Sequence, residues 1–204
     1  MILKTERIAQ LLETKDQAND PLVITPSPDL ATLRQKGAAS VDLRLGCWFA
    51  ALRQTRASLL DIREAGPTMP GENILTKMHY VRFGDKFVLH PHSFVLGVTL
   101  EWLRLPGNLA GYVTSKSSWG RRGLIIATAT GVHPGFTGCL TLELSNVGEI
   151  PVALYPSMEI CQFFIHKVDS ISDYVDQSPL AGRRKPFMGG ISFDKIAKSL
   201  STPS

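Results

Sequence analysis

Nine consecutive residues, Ser115-Lys116-Ser117-Ser118-Trp119-Gly120-Arg121-Arg122-Gly123, gather hydroxyls, backbone amides and cations between two apolar runs. Hydroxyls and amides donate to phosphate oxygens and the cations neutralise their charge, so the segment suits a phosphorylated ligand. It equally suits a solvated turn. A second candidate is Glu143 in Leu140-Thr141-Leu142-Glu143-Leu144. Alternation puts the three leucines on one face and Thr141 and Glu143 on the other. A strand carboxylate of this kind is ordinarily solvent-facing or half of an ion pair; turned into a cleft, it can shuttle protons. A third segment, Thr128-Ala129-Thr130-Gly131-Val132-His133-Pro134-Gly135-Phe136, reads as a hairpin whose amides and carbonyls could recognise a base edge, or as a plain connection. His90-Pro91-His92 offers two imidazoles but no evident third metal ligand. The His-x-Glu and Pro-Cys-x-x-Cys elements of zinc-dependent base deaminases do not occur. A base deaminase built on this sequence must therefore activate water without zinc.

The elements that would position these residues are mostly short strands. From Lys86 to Ile165 the chain is a series of short β-rich runs, including residues 94–100, 110–113, 139–144 and 160–165, with Gly, Pro or Asn in nearly every gap. This pattern predicts an all-β barrel or sandwich. Ser40 to Gly46 alternates like a half-buried strand. Thr5 reads as the cap of a short helix bearing Ile8, Leu11 and Leu12, and Leu22 to Ile24 as a short strand. Residues 50–80 read as loops and short strands. One domain over residues 1–174 is expected, followed by a polar, glycine-rich, flexible tail over 175–204.

Composition narrows the classes. The 204 residues are 44% hydrophobic and 20% charged, an ordinary globular balance with room for one core. No apolar run approaches the ~20 residues of a membrane span, and no signal-peptide pattern opens the chain, so a cytoplasmic protein without membrane contact is expected. Cys47, Cys139 and Cys161 are far apart and read as free thiols. The net charge of +4 suits an anionic partner. Its basic residues are dispersed without an aromatic stripe, which argues for a nucleotide over a nucleic acid.

Several segments, taken in order, resemble the deoxycytidine triphosphate deaminase branch of the trimeric dUTPase superfamily. Ser40 to Gly46 matches that branch's S-x-D-L-R-L-G strand. Leu89-His90-Pro91, Val98-Thr99-Leu100-Glu101, Leu105-Pro106 and the Lys116–Leu124 loop follow its pattern. So do Pro134-Gly135-Phe136, Leu142-Glu143 with Asn146 and Gly148, and Leu154-Tyr155-Pro156 with Met158. The resemblance implies a distorted β-barrel of the trimeric dUTPase type, with a short N-terminal helix, assembled as a homotrimer with active sites between subunits. It implies hydrolytic deamination of dCTP to dUTP and ammonia, with Glu143, Arg121 and Ser117 as the catalytic set. Lys116, Ser118, Thr128, Ala129, Thr130, His133, Gln162 and Lys185 fall at substrate-binding positions. Mg²⁺ would be bound through the triphosphate, with no metal ligand from protein side chains and no zinc. The tail around Lys185 resembles a segment that closes over the nucleotide.

Departures from the pattern matter as much. Lys116 stands where an arginine is usual, keeping charge but losing a bidentate fork. His133 falls where dUTPases carry the aspartate that activates water against the α-phosphate, in a hairpin one residue short. Hydrolysis at phosphorus is thereby less expected than deamination, while two alternatives stay open: a bifunctional or altered deoxynucleoside triphosphate pyrophosphatase, and a non-catalytic nucleotide-binding trimer.

Overall fold

Alternating aliphatic and polar residues become strand through most of the chain, and two long strands carry the architecture. The computed structural model describes residues 1–53, 75–127, 131–169 and 181–189. In chain order its elements are α1 (Thr5–Glu13), β1 (Val23–Thr25), α2 (Leu30–Lys36), β2 (Val41–Arg44), β3 (Trp48–Leu52), β4 (Thr76–Tyr80), β5 (Phe87–Leu89), β6 (Phe94–Arg104), β7 (Leu109–Ser115), α3 (Ser117–Gly120), β8 (Leu124–Ile126), β9 (Gly131–Val132), β10 (Thr137–Asn146), β11 (Val152–Leu154) and β12 (Glu159–Lys167).

Strands β6 and β10 pair antiparallel inside a sheet ordered β4-β3-β6-β10-β8, and β1 joins the C-terminal half of β6. A second sheet runs β2-β12-β7-β9, and β5 pairs with β11. One core fills the space between them. Leu140, Leu142 and Leu144 of β10 share it with Leu43 of β2, Val113 of β7, and Phe163 and Ile165 of β12. The all-β expectation holds. A distorted barrel was expected; among the described residues the sheets are not closed into one, and the bridge from Leu45 to Thr99 links them.

The two sheets meet at a break of register. Cys139 pairs with Trp102 but Thr141 pairs with Val98, so Thr99, Leu100 and Glu101 bulge opposite Leu140 alone. Buried hydrogen bonds fill the bulge. Thr99 Oγ1 accepts the Leu140 N–H at 2.9 Å and donates to Glu101 O at 2.9 Å. The end of β2 arrives at the same place. The Arg44 N–H and guanidinium donate to the Glu101 carboxylate at 2.8 and 3.1 Å, and the Gly46 N–H donates to Val98 O at 2.7 Å. A Cβ on Gly46 would sit 3.0 Å from the Val98 and Thr99 carbonyl oxygens, tighter than ordinary contact, so glycine favours this approach. Burial pushes the Glu101 carboxyl up, against the opposing pull of the Arg44 donors. The Ser40–Gly46 and Val98–Glu101 segments thus clasp each other and set the phase of β10.

Two helical details differ from the sequence reading. Lys4, not Thr5, is the cap of α1, and Thr5 is the first helical residue, fully buried. Its side chain is drawn inward with Ile8, Ala9 and Leu12, so it is not placed to cap. Helix α2 was not foreseen at all. Asp29 accepts from the Ala31 N–H at its start, and Gly37 in the left-handed region (φ 57) ends it. Among the described residues no helix is long and apolar enough to cross a membrane.

Candidate active site

The hydroxyl-rich loop leaves β7 at Ser115, makes the single turn α3, and enters β8 at Leu124. Lys116 O accepts the Trp119 and Gly120 N–H groups, and Ser117 O accepts that of Arg121. This turn leaves Ser117, Ser118, Arg121 and Arg122 exposed. Arg121 Nη2 lies 3.4 Å from Ser117 Oγ, so the loop itself brings these two candidates together. Its far end is fixed by close backbone contact. The Val147 N–H donates to Gly123 O at 2.8 Å, and a Cβ on Gly123 (φ 84) would meet Gly148 N at 2.8 Å. Asn146, fully buried, shapes the turn receiving Gly123. Its Nδ2 donates to Leu89 O and Ile150 O, and its Oδ1 accepts the Gly148 N–H.

Lys116 is committed differently from its neighbours. Its Nζ lies 2.6 Å from Glu159 and 3.1 Å from Asp42, which also pairs with Lys36. Burial opposes the charge on Lys116, but the Glu159 and Asp42 carboxylates outweigh it and hold the ammonium above its ordinary value. Asp42 shows the converse: burial raises its carboxyl, while Lys36 and Lys116 pull it below the ordinary value. Trp119 Nε1 donates to Glu159 O, pinning the loop a second time. Gln162 sits in the same neighbourhood, opposite Asp42 and Thr114, with Nε2 3.3 Å from Ser40 Oγ. A cleft of about 580 Å³ opens beside this cluster, lined by Lys36, Asp42, Arg44 and Glu159 among others.

Glu143 lies elsewhere. It is half-buried on the outer face of β10, opposite Leu96, and its backbone oxygen accepts the Ala127 N–H. Leu96, Val98 and Ala50 share that outward face by register, yet none is more than 5% exposed. The carboxylate therefore stands beside covered apolar surface rather than on an open one. Strand β8 pairs Leu124 with Asn146 and Ile126 with Leu144, so the chain leads from Glu143 away toward Arg121. At about 3.3 Å per residue, Arg121 stands roughly 10 Å or more beyond Glu143. Among the described residues no ion pair joins them.

His133 is exposed at the start of a Pro134-Gly135 turn, and its O accepts the Phe136 N–H. Thr128, Ala129 and Thr130 lie outside the described residues. Among the described residues no three His, Cys, Asp or Glu side chains are grouped as metal ligands.

Lys185 belongs to a segment that returns to the sheet. The Gly182 N–H donates to Thr137 O at 2.6 Å and the Cys139 N–H donates to Arg183 O at 2.8 Å, along the part of β10 that β8 leaves open. The Arg184 guanidinium then lies 5.0 Å from the Trp102 ring centroid, and Lys185 Nζ 4.2 Å from that of Trp48. Sequence reasoning singled out Lys185 but missed Arg184 and both tryptophans. The signal was a basic run paired with two indoles far away in sequence, which only the register of β3, β6 and β10 brings onto one face.

Comparison with known proteins follows the same lines. A family model described as dCTP deaminase-like matches residues 2–168. A relative from Mycobacterium marinum named "dCTP deaminase, dUMP-forming" is 44% identical over 137 residues, covering 67% of this chain and 69% of its own. One of the same name from Dictyoglomus turgidum is 41% identical over 171 residues, covering 83% and 82%. The crystal structure of 2'-deoxycytidine 5'-triphosphate deaminase from Agrobacterium tumefaciens superposes with a TM-score of 0.58 at 24% identity, over 82% of this chain. The match spans about half of that longer chain, 48%, and the likeness is one of fold.

Proposed function

The chain belongs to the dCTP deaminase-like family, and on that basis we propose that it is an enzyme that deaminates dCTP and releases diphosphate, forming dUMP. The sequence reading named dUTP as the product. The shared name of the two relatives, dUMP-forming, moves the proposal to the bifunctional alternative. The observation that carries it is Glu143, a half-buried carboxylate beside the covered apolar surface of Leu96, Val98 and Ala50.

In the proposed reaction, Glu143 takes a proton from water as its oxygen adds to C4 of cytosine. The carboxyl then returns that proton to N3 of the base. The new C4 hydroxyl gives its proton through the same carboxylate to the amino group, and the C4–N bond breaks as C4=O forms, so ammonia leaves. A second water adds at the α-phosphorus as the bridging P–O bond breaks, releasing diphosphate. Positioned proton transfer of this kind contributes roughly 10²–10⁴-fold in rate. Ser117 and Arg121 would come from a neighbouring copy. This fits one chain holding them together yet apart from Glu143, and it gives a homotrimer a chemical purpose. Ser118 and Lys185 suit the triphosphate. Lys116, engaged by two carboxylates, would reach it only by exchanging partners. Mg²⁺ would be held by phosphate oxygens. Zinc has no part in this reading, and stripping metals then restoring Mg²⁺ alone should restore turnover.

A second reading stops at dUTP. It is favoured by His133, which occupies the position of the aspartate expected to activate water at phosphorus. Following ammonia and diphosphate separately from dCTP decides between them. Equal amounts support dUMP formation, ammonia alone supports the second reading, and neither product overturns both.

A further inference from the structure

Half-buried tryptophans beneath a basic segment have no part in the chemistry described above. Trp102 pairs with Cys139, and Trp48 lies two residues from Ala50, which pairs with Leu96 opposite Glu143, so both indoles lie on the outward face that carries Glu143. Thr141 is one side-chain repeat from Glu143, about 7 Å along the strand. The 181–189 segment reaches this face in three steps. It pairs with the open stretch of β10 at Thr137 and Cys139. It crosses where Gly138 (φ 139) has no side chain, since a Cβ there would sit 3.2 Å from Arg183 O. It then sets Arg184 over Trp102 and Lys185 over Trp48, with Pro186 buried behind them.

From this arrangement we propose that Trp48 and Trp102 are positioning residues. Their rings dock the 181–189 segment across the Glu143 face and hold Arg184 and Lys185 there as ready-placed ligands for the substrate's phosphates. A ring contacts only one side of each cation, and both residues remain exposed, so phosphate oxygens can approach from the other side. A segment ordered before substrate arrives lowers the ordering cost of binding. That the anion is the triphosphate of dCTP rests on the function proposed above; the docking does not.

The test separates the two. Trypsin cleaves after Arg183 and Arg184, but not after Lys185 because proline follows, and each cut requires the segment to leave the sheet. With the full chain and no nucleotide, Trp48→Leu and Trp102→Leu should each speed these cuts roughly two- to five-fold, the worth of one exposed cation–π contact. Trp48→Phe and Trp102→Phe keep an aromatic face and should cleave near the wild-type rate. Leucine variants cleaved at the wild-type rate, or phenylalanine variants cleaved as fast as leucine ones, would overturn the docking. In steady-state assays the leucine variants should raise KM for dCTP by a similar factor with a smaller change in kcat. An equal loss in kcat with unchanged KM would overturn the phosphate role. A wild-type chain that turns over no dCTP refutes the functional reading while leaving the protease comparison intact.

Discussion

Replacing Thr99 with valine removes one hydroxyl and almost no volume, at the point where β6 loses register with β10. Thr99 is 1% exposed, so water cannot substitute for the lost group. The Leu140 N–H loses its acceptor at 2.9 Å, and Glu101 O loses a donor at 2.9 Å. An orphaned buried donor costs about 1–3 kcal/mol and an ordinary lost hydrogen bond about 1 kcal/mol, so the variant should lose about 2–4 kcal/mol. Thr99→Ser keeps both bonds and gives up a methyl group, worth about 1 kcal/mol. Urea unfolding at pH 7 reads the difference as a shift in midpoint with the slope unchanged. The order should be wild type, then serine, then valine. A valine variant as stable as the serine variant refutes the claim that this hydroxyl fills the bulge, and with it the account of how β10 is phased.

Other perturbations follow from the same geometry. Asn146→Ala removes three hydrogen bonds, one buried and two part-buried, from the turn that receives Gly123, and should cost about 2–4 kcal/mol in urea unfolding. Lys116→Met should cost about 2 kcal/mol at pH 7 by releasing Glu159 and Asp42. Because the Asp42 carboxyl is held below its ordinary 3.8 in the fold, its stabilisation is present above that value and lost as pH falls through the folded pKa. The deficit of the Lys116→Met variant should therefore shrink in acid; a constant deficit contradicts the pairing. Arg121→Ala and Glu143→Gln chains, each inactive alone, should regain about a quarter of wild-type activity when mixed, since random assembly gives one interface in four both intact groups. No recovery on mixing contradicts a site shared between copies.

Much of this was legible in the sequence wherever local pattern governs. The alternation around Glu143 placed it outward, and the loop composition placed Ser117 and Arg121 in the open. The sequence could not show which partners long-range pairing selects. Lys116 reads as a free cation until β2 and β12 bring Asp42 and Glu159 to it. Helix α2 is only one cap and seven residues beside a proline-rich stretch, too short for its period to stand out. Trp48 and Trp102 look like scattered aromatics until three strands align them. The Ser40–Gly46 and Val98–Glu101 segments were recognisable as family patterns, but their mutual clasp depends on a bulge that no local signal marks.

The central claim is that Glu143 moves the proton in deamination, and ammonia release by Glu143→Gln tests it most directly. The variant should bind dCTP yet release ammonia at least about 10²-fold more slowly than wild type. Ammonia released at the wild-type rate would contradict the account.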